Sequence, residues 1–285
     1  MSSYEIKKRQ NEPIMLKVQY AARCYYNLAE RQNTIVWFFC LISAFSVFLP
    51  DTLPCYLSIA VPFIADIIAW ILMLLVTKNV EQGAELREFF DAYSLNINTD
   101  QFSEEKKRQL LESAKKQCSK KPKEAEIQMR NTGSDNPPGV YDWYLFSKDI
   151  DGLEAQFECQ RQNTWWDKKL TSIRYTVSII TCIILTLTFI VLMIHNNAIR
   201  TLLCSASLII KLVERIKDNH KYRCLSLKID GAQETLGVHL SEEGIMQLQG
   251  MINERRAINV LGINLSHRRL ASKLTAEYNW ISNPK

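Results

Sequence analysis

Thr34–Leu49 reads TIVWFFCLISAFSVFL and Cys55–Val76 reads CYLSIAVPFIADIIAWILMLLV. The first run carries no charge and the second only Asp66. At 1.5 Å per residue they make helices of roughly 24 to 33 Å, close to the ~30 Å hydrocarbon thickness of a bilayer. Pro50-Asp51-Thr52-Leu53-Pro54 lies between them. Two prolines stop a helix on both sides, so the linker predicts a tight turn and the pair a membrane hairpin.

Tyr175–Ile194 is a third uncharged run. His195-Asn196-Asn197 then makes a polar turn, and Ile199–Val213 is a weaker fourth run with Arg200 and Lys211 near its ends. Both long side chains are expected to snorkel to the interfaces. Topology favours this fourth span more than hydropathy does. Lys7, Lys8, Arg9, Lys17, Arg23 and Arg31 precede the first run, and the turn after it holds no Lys or Arg. Lys168, Lys169 and Arg174 precede the third run, and Arg215, Lys217, Lys221 and Arg223 follow the fourth. The positive-inside rule places all these basic segments in the cytosol, which requires an even number of crossings.

The expected fold is therefore an all-α membrane protein with two transmembrane hairpins, four spans, and both termini cytosolic. Residues 1–33 would be a cytosolic amphipathic helix, 34–76 the first hairpin and 77–174 a cytosolic helical region. Residues 175–213 would be the second hairpin and 214–285 a cytosolic helical region. Within them, Glu81–Tyr93 extends the second span. Ser103 caps a helix to Cys118 whose thin apolar face (Leu110, Leu111, Ala114) suggests a solvated surface element. Asn131–Gly139 is a loop, Asp151–Arg174 leads into the third span, and Glu242–Met251 and Asn253–Leu274 have helical spacing.

Mean hydropathy is −0.12, an average that hides this alternation of apolar and charged stretches. The net charge of +5 is mild and shows no polybasic tail, which disfavours direct DNA or RNA binding. None of the eight cysteines sits at C-x-x-C spacing, so they read as reduced thiols rather than a disulfide or zinc framework. The first 33 residues lack the apolar core of a signal peptide, so the first span is expected to stay as an anchor.

No catalytic signature is present: no Walker A loop, G-x-G-x-x-G, G-x-S-x-G or H-E-x-x-H. The histidines are scattered, and neither a metal nor a cofactor is expected. Asp66 is the most informative membrane residue, because a charge at mid-helix costs about 2.5–3.5 kcal/mol on insertion scales. It reads either as a pore-lining carboxylate or as a neutral group bonded to a neighbouring helix. Pro62, one turn earlier, frees a backbone carbonyl beside it. Ser178, Cys182 and Thr186 form a small polar stripe suited to close helix packing or a pore wall.

The stretch ahead of the third span is rich in aromatics and amides: Tyr141, Asp142, Trp143 and Tyr144, then Gln160, Arg161, Gln162, Asn163, Trp165 and Trp166. It reads as interfacial anchoring or as a recognition surface, since aromatics stack on bases and arginine pairs with phosphate. Arg255-Arg256 and Arg268-Arg269 add two basic pairs, more readily headgroup-binding or solvated than nucleotide-binding.

Several stretches resemble the bacterial SMODS-associated four-transmembrane effectors found with cyclic-oligonucleotide anti-phage defence systems. They are Ile6 to Asn11 with Ala21-Ala22-Arg23 and Tyr26; Asp142-Trp143-Tyr144; Cys159-Gln160-Arg161-Gln162-Asn163 with Trp166-Asp167 and Leu170; and Leu248-Gln249-Gly250-Met251-Ile252 with Arg255 and Arg268. The resemblance implies a dormant inner-membrane effector. A cyclic oligonucleotide from a partner nucleotidyltransferase would trigger it to oligomerise and breach the bilayer. The ligand-binding candidates, Arg161, Trp165, Arg255 and Arg268, come from residue chemistry and not from the resemblance. The alternative is a membrane scaffold that recruits a soluble partner without forming a pore. No catalytic constellation favours an enzyme.

Overall fold

The computed structural model describes residues 1–49, 55–146, 148–195 and 198–260. The Pro50–Pro54 turn, Asn196-Asn197 and everything after Val260 lie outside them. The described residues form nine α-helices and no named strand.

α1 (Ser3–Gln10) opens on a reciprocal cap. Ser2 Oγ accepts from the Glu5 N–H at 3.2 Å, and the Glu5 carboxylate accepts from the Ser2 N–H at 2.8 Å. α2 (Pro13–Phe45) starts on a proline, whose missing N–H costs nothing in a first turn. α3 (Cys55–Leu95) runs 41 residues, about 60 Å at 1.5 Å per residue. α4 (Glu104–Lys120) is capped by Ser103 as its sequence predicts, and α5 (Pro122–Arg130) follows. α6 (Gly152–His195) is the longest helix, at 44 residues. α7 (Ala198–Cys204), α8 (Ala206–Val238) and α9 (Glu242–Arg256) complete the chain.

Three helices are long and apolar enough to cross a membrane: Pro13–Phe48, Ile59–Leu95 and Tyr175–Ile194. Over their apolar runs many large side chains point outward, with Phe38, Phe63, Trp70, Ile184 and Leu187 all exposed. A continuous apolar surface of this kind suits lipid rather than water. The chain is thus a multi-pass, all-helical membrane protein.

Ile199–Val213 is not among the three. It is divided at Ser205, which is not helical (φ −101°, ψ 4°) and separates α7 from α8. Arg200 and Lys211 shorten the apolar run, and Arg200 is engaged by the first hairpin. Arg200 Nη2 donates to the Leu49 carbonyl at 2.9 Å. Lys211 is buried rather than extended to an interface. Ser43 on α2 donates to the Cys204 carbonyl at 2.9 Å, next to the helix break. α6 and α8 run side by side from here, with Arg223 4.8 Å over the Tyr175 ring.

None of the three long apolar helices ends at the edge of its apolar part. Each continues into a polar body built on the other end of the bundle. Its core joins Ile6 of α1, Val18 of α2, Phe90 of α3, Tyr144, Cys159 of α6 and Ile245 of α9. α4 is less solvated than its composition suggests, because Leu110 and Ala114 are buried in that core. The expected helix over Asn253–Leu274 also differs. α9 runs through Asn253 and ends at Arg256, and the Ala257 N–H closes the last turn onto the Asn253 and Glu254 carbonyls. The rest of that expectation lies outside the described residues.

Candidate functional site

The polar body is organised around one carboxylate. Asp91 sits on α3, four turns or so beyond the apolar run, with 1% of its side chain exposed. Its Oδ1 accepts from the Tyr144 hydroxyl at 2.6 Å. Its Oδ2 accepts from Arg256 Nη1 at 2.6 Å and from Gln249 Nε2 at 3.0 Å, both on α9. A buried carboxylate is tolerated only when paired and fully hydrogen-bonded, and here three donors meet that requirement.

A second ring of amides holds the donors. Asn163 Nδ2 of α6 donates to the Tyr144 hydroxyl at 2.8 Å. Gln160 Nε2 of α6 donates to Gln249 Oε1 and to the Ile245 carbonyl, each at 3.0 Å. The Tyr26 hydroxyl of α2 donates to the Arg256 carbonyl at 3.2 Å. Burial, then the Asp91 charge, holds the Tyr144 phenol well above its ordinary pKa, so it stays a donor at neutral pH. Burial works against the Arg256 charge. The Asp91 charge and hydrogen bond together with Tyr144 and Tyr26 more than offset it and raise the guanidinium pKa above its usual value.

The segment carrying Tyr144 makes a backbone bridge between Tyr141 and Thr132, and beyond it side-chain amides satisfy the backbone of Asp142, Tyr144 and Leu145. Gln10 of α1 both accepts from the Tyr144 N–H (2.8 Å) and donates to its carbonyl (3.0 Å). Gln162 of α6 does the same for Leu145, accepting from its N–H at 3.0 Å and donating to its carbonyl. Asn11 accepts from the Asp142 N–H at 3.0 Å and donates to its carboxylate at 2.6 Å. This clamp fixes Asp142 at φ +49°, which non-glycine residues adopt infrequently. The amide-rich stretch is thus largely internal scaffolding: Tyr144, Gln160 and Gln162 are buried, not displayed as a recognition surface.

The sequence-predicted ligand residues do not converge. Arg161 lies on the exposed side of α6, paired with Glu158 at 2.7 Å. Trp165 is half-buried one turn further on. Arg255 is buried, 5.9 Å from the Tyr222 ring of α8, and Arg256 is in the Asp91 pair. That arginine pair is therefore not a solvated one. Arg268 lies outside the described residues, as does its neighbour Arg269. α6 and α9 do meet, but through Gln160 and Gln249. In the membrane, Asp66 Oδ1 is buried with no hydrogen-bond partner. Ser178 and Cys182 are half-buried on the inward side of α6, and Thr186 is exposed.

Sequence reasoning missed Asp91, Arg87 and Gln10. The available signal was charge inside a helix: Arg87 and Asp91, four residues apart, interrupt the otherwise apolar Leu86, Phe89, Phe90 and Ala92.

The fold and this hub define a multi-pass helical membrane protein whose spans are tied to a polar body by one buried ionic network. Residues 4–210 match the family described as the SMODS-associating 4TM effector domain, and the chain belongs to that family. The match covers the parts of the hub on α1, α2, α3 and α6 and the segment carrying Tyr144. The part on α9 lies beyond it. No curated protein and no solved structure is significantly similar to the chain.

Proposed function

We propose that this protein is the membrane-breaching arm of a cyclic-oligonucleotide defence system in the bacterial inner membrane. A nucleotide made by a partner nucleotidyltransferase reaches the polar body on the cytosolic side. It shifts the protein from a closed to an open assembly of several copies, and the spans then form a pore. The role is not catalytic. Ile199–Val213 acts as the fourth span, which keeps both termini in the cytosol.

One observation carries this reading. Asp91 lies on the same unbroken helix as the second span, and its partners Tyr144 and Gln249 are held in turn by Asn163 and Gln160 of α6, the helix of the third span. A ligand that alters the hub therefore acts on two spans with no flexible joint between. Ligands drive such a change only through their preference for one state. The outward apolar surface of the third span, on which no residue of Tyr175–Ile194 is buried, offers area for lipid and for neighbouring copies.

The test is co-expression with the cognate synthase while membrane potential is followed with a voltage-sensitive dye. Depolarisation on confirmed nucleotide production is expected. A potential that survives would sink the pore reading and leave a scaffold as the better account.

A further inference from the structure

We propose that Arg87 and Trp143 form a binding site for a soluble phosphate-bearing anion. The site deepens the reading above only in the natural source of the phosphate, a nucleotide. Arg87 lies on α3 one turn before Asp91, the spacing at which a helix makes an intrahelical ion pair. No such pair forms, because both Asp91 oxygens are taken by Tyr144, Arg256 and Gln249. The guanidinium instead lies 4.0 Å over the Trp143 ring, and its Nη1 is buried with no acceptor.

Its electrostatic surroundings make this costlier. Arg256 and Arg23 both act on Arg87 with the same sign of charge. Among the described residues, Arg23 binds neutral oxygens: the Gln128 amide and the carbonyls of Pro138 and Gly139. Glu88 is turned toward Asn253. Glu88 also acts on Arg256, so among the described residues Arg87, Arg256 and Arg23 lie with two carboxylates, neither of them bonded to Arg87, and an added anion would complete the balance there. Arg87 is half-buried as a residue while its Nη1 is buried, so a ligand must displace neighbouring side chains to reach that atom. A planar guanidinium fork matches a phosphate's oxygens in pairs, and the stacked indole fixes its orientation.

Distance decides between a lipid headgroup and a free ligand. Arg87 lies eleven residues beyond Val76, about 16 Å along the helix. The headgroup layer extends only roughly 5–8 Å past the hydrocarbon. The phosphate therefore comes from solution.

The experiment uses the full chain in zwitterionic nanodiscs, with inorganic pyrophosphate as probe and sodium chloride at matched ionic strength as control. The melting midpoint should rise saturably with pyrophosphate. Arg87→Met should melt at or above the wild type without pyrophosphate, because an uncompensated buried charge is gone. It should also bind pyrophosphate about tenfold or more weakly, and Arg87→Lys should recover part of the loss. Unchanged affinity in Arg87→Met overturns the site, as does a wild-type response no larger than that to chloride. Loss of the response in nanodiscs rich in anionic lipid overturns the soluble source. Depolarisation is scored separately. Cells that depolarise while Arg87→Met binds normally reject this site alone, and intact binding without depolarisation rejects the effector reading alone.

Discussion

Replacing Arg256 by methionine removes the cation from the Asp91 pair while keeping most of the side chain's apolar bulk. The pair is close (2.6 Å), with the carboxylate 1% and the guanidinium side chain 15% exposed. Losing one member of a buried pair costs about 3–5 kcal/mol, mostly the penalty of the charge left behind. Tyr144 and Gln249 still donate to Asp91, which places the expected loss near the lower end, ~3 kcal/mol. For a domain of this size each kcal/mol moves the melting midpoint by about 2–4 °C, so Arg256→Met should melt roughly 6–12 °C lower. Tryptophan fluorescence of the detergent-solubilised protein at one fixed scan rate is the assay. The double variant Asp91→Leu/Arg256→Met supplies the control. With both charges gone it should recover most of the loss, because an apolar replacement of a whole buried pair is often neutral or stabilising. The exposed Arg130–Glu126 pair offers the contrast: it is also close, but breaking it should leave the midpoint unchanged. An Arg256→Met shift under about 2 °C, or a double variant no better than the sum of its singles, would refute the claim that this pair organises the body.

Gln10→Ala leaves the buried N–H and carbonyl of Tyr144 without partners. At about 1–3 kcal/mol for each unsatisfied group, it should destabilise by at least as much as loss of one cap, and an unchanged midpoint would contradict the clamp. Cys159 is buried and its thiol is pushed well above its ordinary pKa by that burial, then by Asp91, whereas Cys224 is exposed. Mass spectrometry after maleimide treatment near neutral pH should find Cys224 labelled and Cys159 untouched until the protein is denatured. Equal rates would show that the hub opens readily. Asp66→Asn should alter conductance or toxicity if the unpartnered carboxylate lines a pore, and a variant indistinguishable from wild type in both would favour the scaffold.

The apolar helices were legible because their signal is local: length, absence of charge and flanking basic residues are all visible in one window. Ser103 and the loop at Asn131–Gly139 were legible for the same reason, since capping and turn chemistry act within a few residues. The hub was not, because its meaning is non-local. Gln10 and Tyr144 are 134 residues apart, and Asp91 and Arg256 are 165 apart. Amides at 160–163 can serve a ligand or the chain's own backbone, and only the irregular segment at 141–150 decides for the backbone. The neighbours of Arg161 and Arg255 were not legible for a related reason. Arginines suited to phosphate are equally suited to Glu158 and to the Tyr222 face, and the sequence does not say which is near. The division at Ser205 was hidden by the apolar residues around it.

The energetics of the hub bear on how a closed state could be held. Moving a two-state equilibrium from 1:99 to 99:1 takes about 5.5 kcal/mol of differential binding. Stripping Asp91 of Arg256 while it stays buried costs about 3–5 kcal/mol, the penalty of the charge left behind rather than the net worth of the pair. On the proposed reading, the contact between α3 and α9 biases the spans toward the closed state to the extent that opening leaves Asp91 without a partner. A ligand competes with that bias. Arg87 sharpens this point, since it already stands one turn from Asp91 with an unused Nη1. If α9 withdraws, Arg87 can take the carboxylate at helical spacing, and the charge that Arg256 abandons is not left bare. The open state would then be stabilised by the same carboxylate that holds the closed one. Charge-reversing Arg87 to glutamate should make opening harder on two counts: it removes the guanidinium proposed to hold the phosphate, and it leaves Asp91 facing repulsion instead of a replacement partner. Depolarisation in cells carrying Arg87→Glu should need more synthase than in wild type. Easier opening would mean that Asp91 and Arg256 stay paired throughout and that the switch lies elsewhere.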